Sequence, residues 1–274
     1  MYPDLINIGF LHLKTYGACV ALGFILCSWL VERLSGRKDI SGMLMLLAIV
    51  GIIGARAAYV IENWRTQFAH DPSQIIRVDR GGLVFYGGLI AAIVAYFGWC
   101  IAKREKFTTL SDLMCTVVPL GHAFGRIGCF FFGCCYGRRS DGACAVHFPF
   151  RSPAWHEQVS GGLLSPTAHE SLGVLPTQLF EAGALLVLFV ILVLAFRRWK
   201  DRHGLVTGMY MVGYALLRFP LEYLRGDPRA EVGPFSIAQT ISLGMIILGL
   251  AFIFRAAKGK ADNSNDLSGK QRND

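Results

Sequence analysis

Residues 176–200, PTQLFEAGALLVLFVILVLAFRRWK, begin polar, run apolar for most of their length and close on Arg197, Arg198 and Lys200. An apolar run of about 20 residues crosses a hydrocarbon core roughly 30 Å thick when it is helical. Lipid demands the helix, because backbone polar groups there must be satisfied within the segment. Six further stretches read the same way, at about 16–34, 43–61, 82–101, 112–132, 205–224 and 234–254. With 53% hydrophobic and 17% charged residues in 274, the chain predicts an all-α polytopic membrane protein with about seven transmembrane helices and a loop region at 133–175. The start, MYPDLINIGFLHLKTYG, lacks a basic leader and a small-residue cleavage site, so no cleaved signal peptide is expected.

The net charge of +8 follows topology rather than a nucleic-acid surface, and no nucleic-acid partner is expected. Of the 27 Lys and Arg, nine fall on one side: Lys14, three in 62–81, three in 133–175 and two in 225–233. Fifteen fall on the other, in the short connections after residues 32, 102 and 196 and in the C-terminal tail. The positive-inside rule then puts the N-terminus outside and the C-terminus in the cytoplasm. Residues 1–257 read as one integral-membrane domain, and the polar stretch 258–274 as a disordered cytoplasmic tail. No internal repeat of useful period is present.

Three arginines remain, Arg56, Arg126 and Arg218, and all lie inside spans, as do Glu181 and Glu222. An arginine at the centre of a membrane helix costs about 2.5–3.5 kcal/mol on the insertion scale, so such residues mark function by default. The alternative is an Arg–Glu pair that merely fixes helix packing. The predicted topology sets all five in the outer half of the membrane, around one cavity. Tyr214, Arg218 and Glu222 follow at steps of four and share one helix face. Pro220 between them frees backbone groups that a cavity or neighbour must satisfy. The glycines of GGLVFYGGL (81–89) and GRIG (125–128) permit close helix packing or room for a bulky headgroup.

HAFGRIGCFFFGCCYG (122–137) resembles the signature of the prolipoprotein diacylglyceryl transferase family, close to GRIGNFINGELYG. The resemblance extends to Tyr16–Gly17, to GARAAYVIENW (54–64), to FYGGLI (85–90) against the family's HGG segment, to LPTQLFEA (175–182) against PSQLYEA, and to GYALLRFPLEYLRGDP (213–228). It implies a membrane-bound transferase that moves the diacylglyceryl group of phosphatidylglycerol onto the lipobox cysteine of a preprolipoprotein, the first step of lipoprotein maturation. The reaction would occur at the outer face of the cell inner membrane and release glycerol 1-phosphate. No cofactor and no metal are expected. The catalytic candidates are Arg126, Arg218, Glu222 and Tyr86. The substrate-binding candidates are Arg126, Tyr16, Tyr214, Arg56, Gly87 and Gly88. A guanidinium presents planar paired donors to a phosphate and stabilises it as a leaving group, the role expected of Arg126 with Arg218 assisting. Glu222 would orient an arginine, and the two tyrosines would donate to headgroup or ester oxygens.

The sequence departs from the family pattern where the chemistry is most demanding. Tyr86 stands where HGG has its histidine, Cys129 and Phe132 where the signature has asparagines, and Cys134 where it has glutamate. An acceptor thiol with a pKa near 8.5 needs a base or a positive field, and a phenol is a poor acceptor at neutral pH. His122, two turns before Cys129, is an alternative base or a packed histidine. Cys129, Cys134, Cys135 and Cys144 cluster in sequence. They read as a disulfide bracing the loop, as packing, or as a redox or metal group, although their spacing is not a standard zinc pattern. A paralogue with a different acceptor or lipid donor, or a non-catalytic lipid-binding or transport protein, stays open as an alternative.

Overall fold

The computed structural model describes residues 4–8, 11–69, 71–77, 82–227 and 231–270. Gly81, which opens the 81–89 motif, and residues 271–274 of the tail lie outside the described residues. The helices are α1 (Thr15–Ser35), α2 (Asp39–Glu62), α3 (Phe85–Lys103), α4 (Phe107–Phe132), α5 (Pro153–Ser160), α6 (Thr177–Arg198), α7 (Leu205–Glu222) and α8 (Ile237–Lys270). Two antiparallel hairpins, β1 (Asp4–Ile8) with β2 (Leu11–Lys14) and β3 (Glu231–Val232) with β4 (Phe235–Ser236), leave the all-α class unchanged. The helical backbone of α8 continues to Lys270, through most of the segment expected as a disordered tail.

Six helices are long and apolar enough to cross a membrane: α1, α2, α3, α4, α6 and α8 as far as Lys258. The seventh expected span, α7, is helical over 18 residues, about 27 Å. Arg218 and Glu222 dilute its apolar character, so six helices rather than seven meet that measure among the described residues. Large apolar side chains stay exposed along these helices, Val94, Val187, Ile247 and Phe254 among them, as suits contact with lipid tails. Burial is uneven: 39% of the apolar window of α4 and 33% of that of α6 are buried, against 6% for α3. The intramembrane charges Arg126 and Glu181 sit on those two most buried helices.

The expected single domain over 1–257 divides into two compact units, Ser28–Leu110 and Met1–Cys27 with Ser111–Asp274. Ser28–Leu110 is built on the α2–α3 pair. Glycines set its closest approach: a Cβ on Gly54 would run into the Gly87 carbonyl and the Ala91 side chain, one on Gly87 into Ala58 and the Gly54 carbonyl, and one on Gly88 into the Gly51 carbonyl. Small residues in this arrangement let two backbones meet where lipid offers no hydrophobic drive between helices. At one end of the unit, Arg37 pairs with both Asp39 and Glu105 at 2.6 Å.

The other unit packs the Thr15–Cys27 part of α1 with α4, α6, α7 and α8. Gly23 lies against Phe124, Gly128 against Tyr16, and Gly208 against Gly249. Asp112, buried on α4, accepts from the backbone N–H groups of Gly204 (2.6 Å) and Thr207 (2.7 Å) and from the Thr207 hydroxyl (2.7 Å). It thereby satisfies orphan donors at the start of α7 that α7's own residues leave open. Ala123, Ala182 and Leu185 join α4 to α6, with Tyr214 and Leu217 of α7 packed on them. Residues 133–175 form a braced cap rather than a loose loop. Phe130, Tyr136, Phe148, Ala154 and Val174 share a core, and bridges tie Arg139 and Val146 to Val174.

Candidate functional site

Within the larger unit, α4 presents His122, Arg126 and Cys129 at steps of four and three, hence on one face. Glu181 enters from the first turns of α6 and is fully buried. The single Nε–H of Arg126 lies 3.2 Å from His122 Nε2 and 3.1 Å from Glu181 Oε2. It cannot serve both. It is aligned on the imidazole, and the carboxylate contact is ionic, since neither Glu181 oxygen holds an aligned hydrogen bond among the described residues. His122 Nε2 lies 3.7 Å from Glu181 Oε1. With its Nε2 lone pair accepting from Arg126, His122 orients the guanidinium, and that lone pair is not free to take a proton from an acceptor. Tyr214 lies within electrostatic reach of Arg126, and its ring lies 5.5 Å from that of His122.

One turn further along α7, Arg218 Nη2 meets Glu222 Oε2 at 2.5 Å in the i, i+4 pair expected from the sequence. Both side chains are buried, at 6% and 7% exposed. The other terminal nitrogen of Arg218, Nη1, is buried with no protein acceptor among the described residues. Tyr16, at the start of α1, packs on Gly128 and lies within electrostatic reach of Arg126 and of Cys129, Cys134 and Cys135. Five of the sequence candidates, Tyr16, Arg126, Tyr214, Arg218 and Glu222, thus belong to one unit.

Arg56, Tyr86, Gly87 and Gly88 belong to the other. Arg56 is buried, but its donors go to backbone: Nε to Ile75 (2.9 Å), Nη1 to Gly82 (3.0 Å) and Nη2 to Gln74 (2.5 Å). Its guanidinium also lies over the rings of Tyr59 and Phe68, 5.4 Å from each. Gly87 and Gly88 lie on the α2–α3 packing face described above. Tyr86 is half exposed and stacks edge-on with Phe85.

Of the four cysteines adjacent in sequence, three converge. The sulfurs of Cys129, Cys134 and Cys135 all lie within 4.8 Å of one another. Cys144 is exposed and outside the group, and no disulfide is present among the described residues, so hydrogen bonding and the aromatic core hold the 133–175 cap together. Thiol hydrogen bonds from Cys129 and Cys134, with the Arg225 guanidinium alongside, hold Cys135 below the ordinary thiol range, while sharing with the same neighbours pushes Cys134 up. Sequence reasoning passed over Arg225, counted there among loop charges. It is 6% exposed and forms a two-pronged pair with Asp227 at 2.8 Å on each arm. The spacing R-x-D was the available signal.

Over residues 3–255 the chain matches the family described as Prolipoprotein diacylglyceryl transferase. The chain belongs to that family. A phosphatidylglycerol–prolipoprotein diacylglyceryl transferase of Pseudoalteromonas translucida is 32% identical over 93% of this chain and 93% of its own length. Proteins of the same name from Clostridium tetani (31%, covering 93% and 97%) and Vibrio cholerae (33%, covering 90% and 89%) are similar to it in the same way. Family membership therefore extends through both compact units and every segment on which the sequence resemblance rests.

Proposed function

We propose that the chain transfers the diacylglyceryl group of phosphatidylglycerol to the lipobox cysteine of preprolipoproteins, working at the outer face of the cell inner membrane. In this reading the N-terminus lies outside, the C-terminus lies in the cytoplasm, α7 is a seventh crossing, and both compact units serve one transferase domain. The observation that carries the site assignment is the pair of buried arginines, Arg126 and Arg218. Each is held by a carboxylate on one side, and Arg218 has a buried donor that finds no protein acceptor among the described residues. An unpaired buried donor is costly, and a phosphate oxygen is the kind of group that relieves the cost.

The chemistry then divides among named side chains. Arg126 and Arg218 hold the phosphodiester and stabilise the charge that grows on it as the C–O bond to the diacylglyceryl group breaks. His122 and Glu181 fix the Arg126 plane, and Glu222 fixes Arg218. Tyr16 and Tyr214 donate to headgroup or ester oxygens. The acceptor sulfur takes the glyceryl carbon, its proton goes to solvent, and glycerol phosphate leaves with the electron pair. Tyr86, Gly87, Gly88 and Arg56 shape the unit that carries the FYGGLI segment. The test uses purified full-length chain in lipid with phosphatidylglycerol and a lipobox peptide. A diacylglyceryl thioether on the peptide with stoichiometric glycerol phosphate supports the reading. Glycerol phosphate without adduct points to another acceptor, and binding without turnover to a lipid-binding protein.

A further inference from the structure

Cys129 and Cys134 occupy positions where the family signature has asparagine and glutamate, and Cys135 follows where it has leucine. Cys129 closes the last turn of α4, and Cys134 and Cys135 follow a tight reversal. The Cys134 N–H returns to the Cys129 carbonyl at 3.2 Å, the Cys134 carbonyl accepts from Gln178 Nε2 at 2.7 Å, and the Cys135 carbonyl accepts from the Thr177 hydroxyl at 3.1 Å. Gly133 and Cys135 both adopt positive φ, +81° and +64°. These two left-handed residues turn the chain back after α4 and bring the Cys134 and Cys135 sulfurs to that of Cys129. Three sulfurs within 4.8 Å of one another, on a backbone pinned from α6, need to close by only about 1 Å to match thiolates around a tetrahedral zinc, where bonds of about 2.3 Å set sulfurs about 3.8 Å apart.

We propose that Cys129, Cys134 and Cys135 bind Zn(II) as a three-thiolate site whose open fourth position takes the acceptor thiol. The inference rests on the transferase reading and deepens it. Three protein ligands with one open position is the pattern of catalytic rather than structural zinc. A thiol that coordinates the ion gives up its proton outright. Tyr86 stands where the family signature has its histidine, and the His122 Nε2 lone pair is engaged by Arg126, so the ion supplies the activation that these two residues do not. The three cysteines are half-buried rather than sealed in the core. Arg225 beside Cys135 and Arg126 near Cys129 and Cys135 offset the negative charge of four thiolates around a divalent ion. The atoms balance without oxidant or reductant. The acceptor S–H binds zinc and its proton passes to water. The bound thiolate's pair forms the C–S bond, the C–O bond breaks with its electrons going to phosphate, and the neutral thioether, a weaker ligand, leaves the metal. Arg126 and Cys129, one turn apart on α4, would hold leaving phosphate and nucleophile on the same helix face.

The test loads purified full-length chain with Zn(II), or with Co(II) as a spectroscopic stand-in, in the absence of any substrate. About one equivalent bound, with Co(II) giving sulfur charge-transfer and tetrahedral bands, is the expected result. Cys134→Ser and Cys135→Ser should abolish those bands, and Cys144→Ser should leave them intact. Adding a lipobox peptide should shift the Co(II) spectrum, and its Cys→Ser form should not. Absence of bound Zn(II) or Co(II), binding of Cu(I) alone, or a disulfide within the triad in unreduced membranes would each overturn the proposal. So would undiminished transfer after chelation. A loaded, peptide-responsive metal site in a chain that transfers no diacylglyceryl group would uphold the site and sink the transferase reading instead.

Discussion

Arg56 and Arg126 are both buried arginines on membrane-length helices, but they are wired in opposite ways. Arg56 gives its donors to the carbonyls of Gln74, Ile75 and Gly82 and lies over two aromatic rings, all within its own unit. Arg126 is gripped by His122 and Glu181 along its Nε edge. Carbonyl oxygens and ring faces hold Arg56 in place from several sides. A single fixed edge with a carboxylate behind it orients the plane of the group toward whatever lies in front. The same intramembrane residue type is thus held in two different ways in the two units, as a backbone clamp in one and, on the proposed reading, as a phosphate-binding group in the other, and counting charges in spans cannot separate the two.

The largest expected effect falls on Arg126. Arg126→Ala should lower turnover per folded molecule by two orders of magnitude or more, since one charge-stabilising donor in a water-excluded site is worth roughly 3–4 kcal/mol. Arg126→Lys should recover little, because an ammonium cannot present paired planar donors. Alanine also strands Glu181, which is fully buried. The double variant Arg126→Ala with Glu181→Gln should therefore regain folded protein without regaining turnover. Measured per folded molecule in membranes, near-normal turnover of Arg126→Ala would erase the contrast with Arg56.

Arg56→Met tests the other half. Loss of charge-assisted bonds to backbone carbonyls should cost about 2–3 kcal/mol of stability, read as a lower melting temperature. Turnover per surviving folded molecule should stay within about twofold, well inside the 1.4 kcal/mol that separates tenfold rates. A selective loss of turnover at unchanged melting temperature would show Arg56 reaching substrate after all. Gly87→Ala should change turnover per folded molecule the least of the three. It should lower stability by about 3 kcal/mol, because the new Cβ would run into the Ala58 Cβ and stand 2.7 Å from the Gly54 carbonyl oxygen, neither of which can swing aside. A rise in KM with unchanged stability would instead mark Gly87 as a headgroup contact.

Membrane crossings were legible because length and apolarity are local properties, and α7 fell short on that measure for the same reason: it carries the charged pair Arg218 and Glu222. The Arg218–Glu222 pair was legible because helical periodicity brings i and i+4 together. The partner of Arg126 was not, since α4 and α6 meet through packing that no spacing encodes. Backbone carbonyls, which accept from Arg56, leave no mark in sequence at all. The cysteines show the limit most directly. Four close in sequence suggested a brace including Cys144, whereas the positive-φ turn at Cys135 gathers three and leaves Cys144 outside.

The Asp112 cap has a consequence in time. Its acceptors are filled by groups 92 and 95 residues further along the chain. At about 5–20 residues per second, α4 waits several seconds after synthesis before α7 exists to receive that carboxylate. During that interval α4 carries an unsatisfied acid into the bilayer and has reason to stay mobile or chaperoned. The docking of α7 ends that state and, in the same motion, carries Tyr214 and Arg218 up to His122 and Arg126. A ribosome that stops early leaves a chain with most of its crossings made and Arg126 without its α7 neighbours.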